Sequence, residues 1–106
     1  MRIRKGYGNI TDEKANAIAR ISDALSHPAR VSIFKFILEK NKERKNVIGK
    51  DIVDAFPYSQ ATISQHIQKL ILGEIISSQQ QGSATTYFAN IGAIEKYIAM
   101  LMDVRK

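Results

Sequence analysis

Residues 59–70 read Ser59-Gln60-Ala61-Thr62-Ile63-Ser64-Gln65-His66-Ile67-Gln68-Lys69-Leu70. At about 100° per position this spacing predicts a helix with two unlike sides. Ile63, Ile67, Leu70 and Ile71 fall on one stripe. Ala61, Thr62, Gln65, Gln68 and Lys69 fall on the other side. A solvated helix face usually carries Glu and Lys pairs. This face carries amides and hydroxyls, with one Lys at its far end. Such groups both donate and accept hydrogen bonds, which is what base edges in the major groove of DNA require. The plain alternative is a polar surface helix with no partner, so the flanking sequence has to decide.

Working outward, Pro57-Tyr58 makes a turn in front of this helix, with Ser59 as its N-cap. A short helix precedes the turn over about 50–56, with Ile52, Val53 and Phe56 directed inward. Gly73 ends the long helix. Behind it, 75–78 and 85–89 favour strands. Gln79-Gln80-Gln81-Gly82-Ser83-Ala84 lies between them as a flexible polar tip, which makes a β-hairpin.

Upstream, Thr11 caps a first helix over 11–26. Asp12 and Glu13 sit in its first turn, where the helix dipole favours acids, and Ala15, Ile18, Ile21 and Leu25 keep helical spacing. His27-Pro28 breaks the chain, and Pro28 opens a second helix to about Lys40. Val31, Phe34, Ile37 and Leu38 form its apolar side, widened by Ile33 and Phe36. So broad a stripe places this helix centrally in the core. Residues 40–46 form a mostly basic loop, read either as a solvated connection or as a phosphate contact. Asn90 caps a last helix over 91–104, with Ile91, Ile94, Ile98, Leu101 and Met102 at helical spacing and Tyr97 beside them. The expected class is mainly α with a small β-hairpin. A short helix, a turn and a longer helix make a helix-turn-helix, and the hairpin behind it is a wing.

The chain has 106 residues, enough for one domain with a real core. Residues 1–10, Met1-Arg-Ile-Arg-Lys-Gly-Tyr-Gly-Asn-Ile, are expected to be a loose basic arm, and 11–106 the folded domain. The arm has no apolar segment behind it and does not read as a signal peptide. Sixteen Lys and Arg against ten Asp and Glu give a net charge of +6, which suits a polyanionic partner. There is no Cys, which excludes disulfides and thiolate metal sites and favours the cytoplasm. No apolar run approaches the ~18 residues of a membrane span. No nucleophile and base stand at motif spacing, and no Gly-rich phosphate loop is present, so an enzyme is not expected.

Three stretches resemble the ArsR/SmtB family of winged-helix repressors. Leu25-Ser-His-Pro-Ala-Arg-Val-Ser-Ile-Phe34 looks like that family's Leu-x-x-Pro-x-Arg-x-x-Ile-Leu entry to its second helix. Residues 59–70 look like its recognition helix, and Gly82 through Tyr87-Phe88 looks like its wing with a closing aromatic pair. The resemblance implies a homodimeric repressor that binds double-stranded DNA at an inverted-repeat operator. Base contacts would come from Gln60, Thr62 and Gln65, and phosphate contacts from Ser59 and Lys69. His66, Gln68, Gln80, Gln81 and Ser83 complete the expected DNA-binding set, with His66 read either as a structural residue or as a phosphate contact. The first and last helices would form the dimer, through Ile18, Ile21, Leu25, Ile94, Tyr97, Ile98, Leu101 and Met102. Independently of the resemblance, the apolar stripe of the last helix either packs within its own chain or meets a second copy.

The sequence departs from the family in two places. Where relatives carry a Cys pair, this chain has Ile48 and Lys50, and its last helix has Glu95 and Asp103 but no His. No metal site and no cofactor are therefore expected. The wing offers Gln, Ser and Thr where relatives often carry Arg. From Ala55 to Asn90 the only full charges are Lys69 and Glu74. That near-neutral face keeps a second reading open, a winged-helix protein-interaction module without specific DNA binding. Arg30 is read either as pairing with an acid inside the fold or as reaching a phosphate.

Overall fold

The computed structural model describes residues 11–106. The expected arm at 1–10 lies outside the described residues.

Five helices and one hairpin follow in the order α1 (Asp12–Ala24), α2 (Pro28–Lys42), α3 (Gly49–Ala55), α4 (Gln60–Leu72), β1 (Ile76–Gln81), β2 (Ala84–Ala89) and α5 (Ile91–Arg105). Their starts are set by side-chain caps that satisfy otherwise orphaned backbone donors. The Thr11 hydroxyl accepts from the Lys14 amide at 3.1 Å, and Ser59 Oγ from the Thr62 amide at 3.1 Å. Asn90 Oδ1 accepts from the Ala93 amide at 3.1 Å. His27 caps α2 through Nδ1, which accepts from the Ala29 amide at 3.1 Å. The Asp51 carboxylate reaches back to the Ile48 amide at 2.9 Å and fixes the start of α3.

The core is built from Ile33 and Ile37 of α2, Val47, Ile52 of α3, Ile63 and Leu70 of α4, and Ile75, all fully buried. Each such side chain contributes about 1.5–3 kcal/mol by leaving water. Ile33 and Ile37 mark the inward line of α2. Val31 stands two residues before Ile33, about 160° around the helix, and is 48% exposed. It does not belong to the inward face on which its spacing had placed it.

The hairpin is longer and tighter than its composition suggests. Gln79, Gln80 and Gln81 are strand residues paired with Thr86, Thr85 and Ala84. Only Gly82 and Ser83 form the turn. Gly82 has φ +63°, the left-handed conformation that the first position of a type II′ turn needs. The expected six-residue loose tip is therefore a two-residue turn. Cross-strand pairing with the threonines, including a 2.9 Å bond from Thr85 Oγ1 to Gln80 Oε1, outweighs the weak strand preference of Gln. A third backbone segment flanks β2 on its other side. Ile48 bridges Thr86, and the Tyr87 amide donates to the Val47 carbonyl at 2.9 Å. Asn41 of α2 extends this edge. Its Oδ1 accepts from the Ala89 amide at 2.8 Å, and its Nδ2 donates to the Tyr87 carbonyl at 3.4 Å. The hairpin is thus tied at its base to α2 and along its side to the segment before α3.

Candidate nucleic-acid interface

Helix α4 lies on the core through Ile63, Ile67 and Leu70, and its remaining surface divides into three. Gln60, Ser64 and Gln68 form one row at intervals of four residues. This row faces the hairpin across a cleft of about 670 Å³ whose far side carries Ser78 and Thr85, with Lys50 of α3 also on its rim. Val53, Ile63, Ile67, Ile71 and Tyr87 supply apolar lining beneath. Gln65 is exposed on the line opposite the core, with Ala61 beside it. Thr62 and Lys69 stand on the flank away from the wing. The front of α4 itself is able to donate and accept hydrogen bonds and bears a single full charge, Lys69, while Lys50 on the cleft rim pairs with Asp54 of its own helix at 2.7 Å. Glu74 pairs with Arg20 of α1 at 3.0 Å.

The expected site residues take different positions. Gln60, Gln65, Gln68 and Lys69 are exposed on α4, and Gln81 and Ser83 are exposed at the hairpin end. Ser59 and Thr62 are engaged with each other. Ser59 Oγ accepts the Thr62 amide and donates to Thr62 Oγ1 at 3.0 Å, so the Ser59 hydroxyl serves first as a helix cap. Gln80 is committed to its own turn, accepting from Thr85 and donating from Nε2 to the Gly82 carbonyl at 3.2 Å. His66 is only 8% exposed and lies between α4 and the start of α2. Its contacts are therefore with side chains of its own chain, Arg30, His27 and Tyr58. Its ring centroid lies 4.7 Å from that of His27 and 6.0 Å from that of Tyr58. Burial, then His27, then Arg30 hold its pKa below the ordinary imidazole value.

Arg30 takes an internal role, but its partners are carbonyls rather than an acid. Nε donates to the Ala24 carbonyl at 2.8 Å. Nη2 donates to the Asp23 carbonyl at 3.2 Å and to Ser26 Oγ at 3.0 Å, and Nη1 donates to His66 Nδ1 at 3.3 Å. The guanidinium thus satisfies the open end of α1. The expected site set left out Ser64, Lys50, Ser78 and Thr85 of the cleft, although Thr85 stood among the polar groups offered by the wing. Ser64 was findable, since it stands four residues from both Gln60 and Gln68. The other three reach the cleft only through tertiary packing.

Helix α5 packs on α1. Lys14 Nζ donates to Asp103 at 2.7 Å, holding that carboxyl below its ordinary range, and Ser22 Oγ meets the Tyr97 hydroxyl at 2.8 Å. Among the residues expected at a dimer seam, Ile21 is buried within its own chain's core. Ile18, Leu25, Ile94 and Tyr97 are half-buried against that core. Ile98 and Leu101 remain 55% and 40% exposed, and Met102, Ile91 and Val104 are exposed with them. Met100, which the stripe did not include, is the α5 side chain that plugs into the core. Among the described residues no three His, Asp or Glu side chains converge where they could hold a metal ion, and no helix is long and apolar enough to cross a membrane.

No protein-family model and no curated protein matches this sequence. Solved structures do resemble it. An ArsR-like transcriptional regulator from Rhodococcus sp. RHA1 superimposes with a TM-score of 0.74 at 20% identity, over 85% of this chain and 80% of that one. The homodimeric winged helix-turn-helix DNA-binding domain of a possible ArsR-family regulator from Mycobacterium bovis gives 0.67 at 18%, over 90% and 87%. NolR from Sinorhizobium fredii gives 0.65 at 19%, over 91% and 94%. Together with the hairpin behind α3 and α4, these likenesses identify the fold: the chain is a winged helix-turn-helix domain.

Proposed function

We propose that this protein is a sequence-specific, double-stranded-DNA-binding transcriptional regulator, a homodimeric repressor of the ArsR-like type that does not sense metal ions. The observation that carries the reading is the front of α4. It is an exposed surface of amides and hydroxyls on the second helix of a helix-turn-helix, beside a hairpin anchored to α2. Gln60, Gln65 and Gln68 are its base-reading side chains, with Thr62 available through its own hydroxyl proton. Gln can bond adenine through both ends of its amide. Lys69 faces phosphates, with Gln81 and Ser83 at the wing, and Ser59 reaches a phosphate by turning its hydroxyl proton away from Thr62 Oγ1. Exposed Ile98, Leu101 and Met102 supply the two-fold contact, which would set two α4 helices about one DNA turn, ~34 Å, apart on an inverted repeat. Homodimeric and DNA-binding are words in the Mycobacterium bovis domain's description; here they are part of the proposal.

The near-neutral front favours one second reading, a protein-interaction module without specific DNA binding. Selection of the purified protein against random duplex DNA separates the two. A recovered inverted repeat, with affinity falling steeply as salt rises, supports the regulator. Failure to enrich any sequence, with no salt-dependent binding, supports the module. Zinc, cadmium or arsenite added to the protein–operator complex should leave it intact, and stoichiometric metal binding with release of DNA would refute the metal-insensitive part.

A further inference from the structure

Arg30 joins two elements that the proposed function treats separately. Its Nε and Nη2 close the last carbonyls of α1, at Ala24 and Asp23, while its Nη1 reaches His66 in the middle of α4. A guanidinium can only donate. His66 Nδ1 must therefore carry a lone pair, and the ring is neutral with its proton on Nε2. A protonated ring would turn an N–H toward another N–H. We propose that Arg30 is a positioning residue for α4, holding the base-reading helix to the end of α1 through His66, and that protonation of His66 releases this hold and weakens specific DNA binding. The inference rests on the reading of α4 given above.

The surroundings offer the protonated ring no relief. From α2 it faces Arg30 and, 4.7 Å between ring centroids, His27. From the turn before α4 it faces the Tyr58 ring. From the end of α1 only carbonyls, and from the turn after it only the Ser26 hydroxyl, enter the network, through Arg30. On α4 itself the next charge is Lys69, one turn on. Among the described residues no carboxylate bonds to Arg30 or His66. The pKa of His66 is held below the ordinary 6.5 by burial, His27 and Arg30. The stabilisation from neutral His66 is therefore complete above 6.5 and is lost as pH falls from there through the folded value. The chain has two His and no Cys, and histidine is the side chain whose charge ordinarily changes in this window.

The sign separates this mechanism from simple charge. Added positive charge should tighten binding to phosphates, whereas release of α4 should loosen binding to the operator. The test is the affinity of the full chain for its selected operator and for an unrelated duplex, from pH 7.5 to 5.5 at constant salt. Circular dichroism at each pH checks that the protein is folded. Operator affinity should fall on acidification, by up to about tenfold per pH unit, the limit for one proton, while affinity for the unrelated duplex does not fall. His66→Asn offers an amide oxygen near the Nδ1 position and does not titrate, so it should bind with a flat profile. His27→Asn keeps the helix cap and should retain the fall. A flat or rising profile in the parent, loss of fold before loss of binding, or an unchanged fall in folded His66→Asn overturns the inference while leaving the DNA reading intact. A parent that selects no duplex at any pH overturns the reading of α4 and this inference with it. Should His66→Asn not fold, imidazole proton resonances of the parent decide: titration of His66 at or above 6.5 overturns the proposal.

Discussion

Gly73 at the end of α4 lies so close to Ala24 of α1 that a methyl group on it would overlap the Ala24 side chain. Its φ of −76° is ordinary helical backbone, so glycine is needed here for space rather than for conformation. The residue that turns the chain is Glu74, at φ +62°. The Ile75 amide donates to the Leu70 carbonyl at 3.3 Å and the Glu74 amide to Ile71 at 2.9 Å, which is a complete Schellman ending. Helix α2 ends the same way, with Arg44 at φ +61° and the Lys45 amide on the Lys40 carbonyl at 3.0 Å.

Adjacent substitutions should therefore act in opposite directions. Gly73→Ala forces α1 and α4 apart and should cost about 1–3 kcal/mol, the usual penalty for overpacking. Glu74→Gly relieves a left-handed residue worth about 1–2 kcal/mol, less about 0.5–1 for glycine's freedom in the unfolded chain. The Arg20 ion pair it removes is exposed and contributes little. A net gain of roughly 0.5 kcal/mol is expected in urea unfolding. Equal stability of Gly73→Ala and the parent would refute the close-packing account.

Asn41 anchors the wing, so Asn41→Ala should loosen it. The change leaves the Ala89 amide without its 2.8 Å acceptor, at a cost of about 1–3 kcal/mol where water cannot replace it. Hydrogen exchange should quicken at Ala89 far more than at the Ile37 amide in the core. Uniform acceleration across the domain would show that Asn41 supports global stability rather than the wing.

The sequence carried the order of elements because helix caps and apolar spacing are local signals. Thr11, Ser59 and Asn90 could be read as caps, and each is one. What it did not carry depends on packing across elements. Nothing local marks Asn41 as a partner of β2, or Lys50 as lining the same cleft as Thr85. His66 sits at the edge of the polar face by angle, about 60° from Ile63, and α2 rather than the helix itself decides that it is buried. Met100 was hidden for the opposite reason. An apolar stripe on a helix that is apolar around much of its girth does not say which member faces inward.

Base selectivity should reside on α4 and not in the hairpin amide at Gln80. Gln65→Ala should cost about 1–3 kcal/mol on the operator and relax selectivity at one base pair. Gln80→Ala removes bonds internal to the turn and should lower hairpin stability without changing which bases are preferred. Repeating the duplex selection with each variant checks both. A Gln65→Ala protein that binds as tightly and selectively as the parent would remove Gln65 from the base-reading set.

Leu101 and Met100 are neighbours on α5 with opposite surroundings, 40% and 5% exposed, and this makes the dimer testable. Glu at Met100 buries an unpaired charge in the chain's own core and should unfold the domain. Glu at Leu101 meets solvent in the monomer, so it should leave a folded chain. If Leu101, Ile98 and Met102 form the two-fold seam, Leu101→Glu places like charges against each other across it and should give a folded monomer. Operator affinity should then fall sharply, because each half-site must be bound alone. Sedimentation and circular dichroism together report both outcomes. The competing picture, in which α5 only closes its own monomer, requires Leu101→Glu to keep the parent's sedimentation coefficient. A parent that is monomeric at micromolar concentration would eliminate the dimer outright.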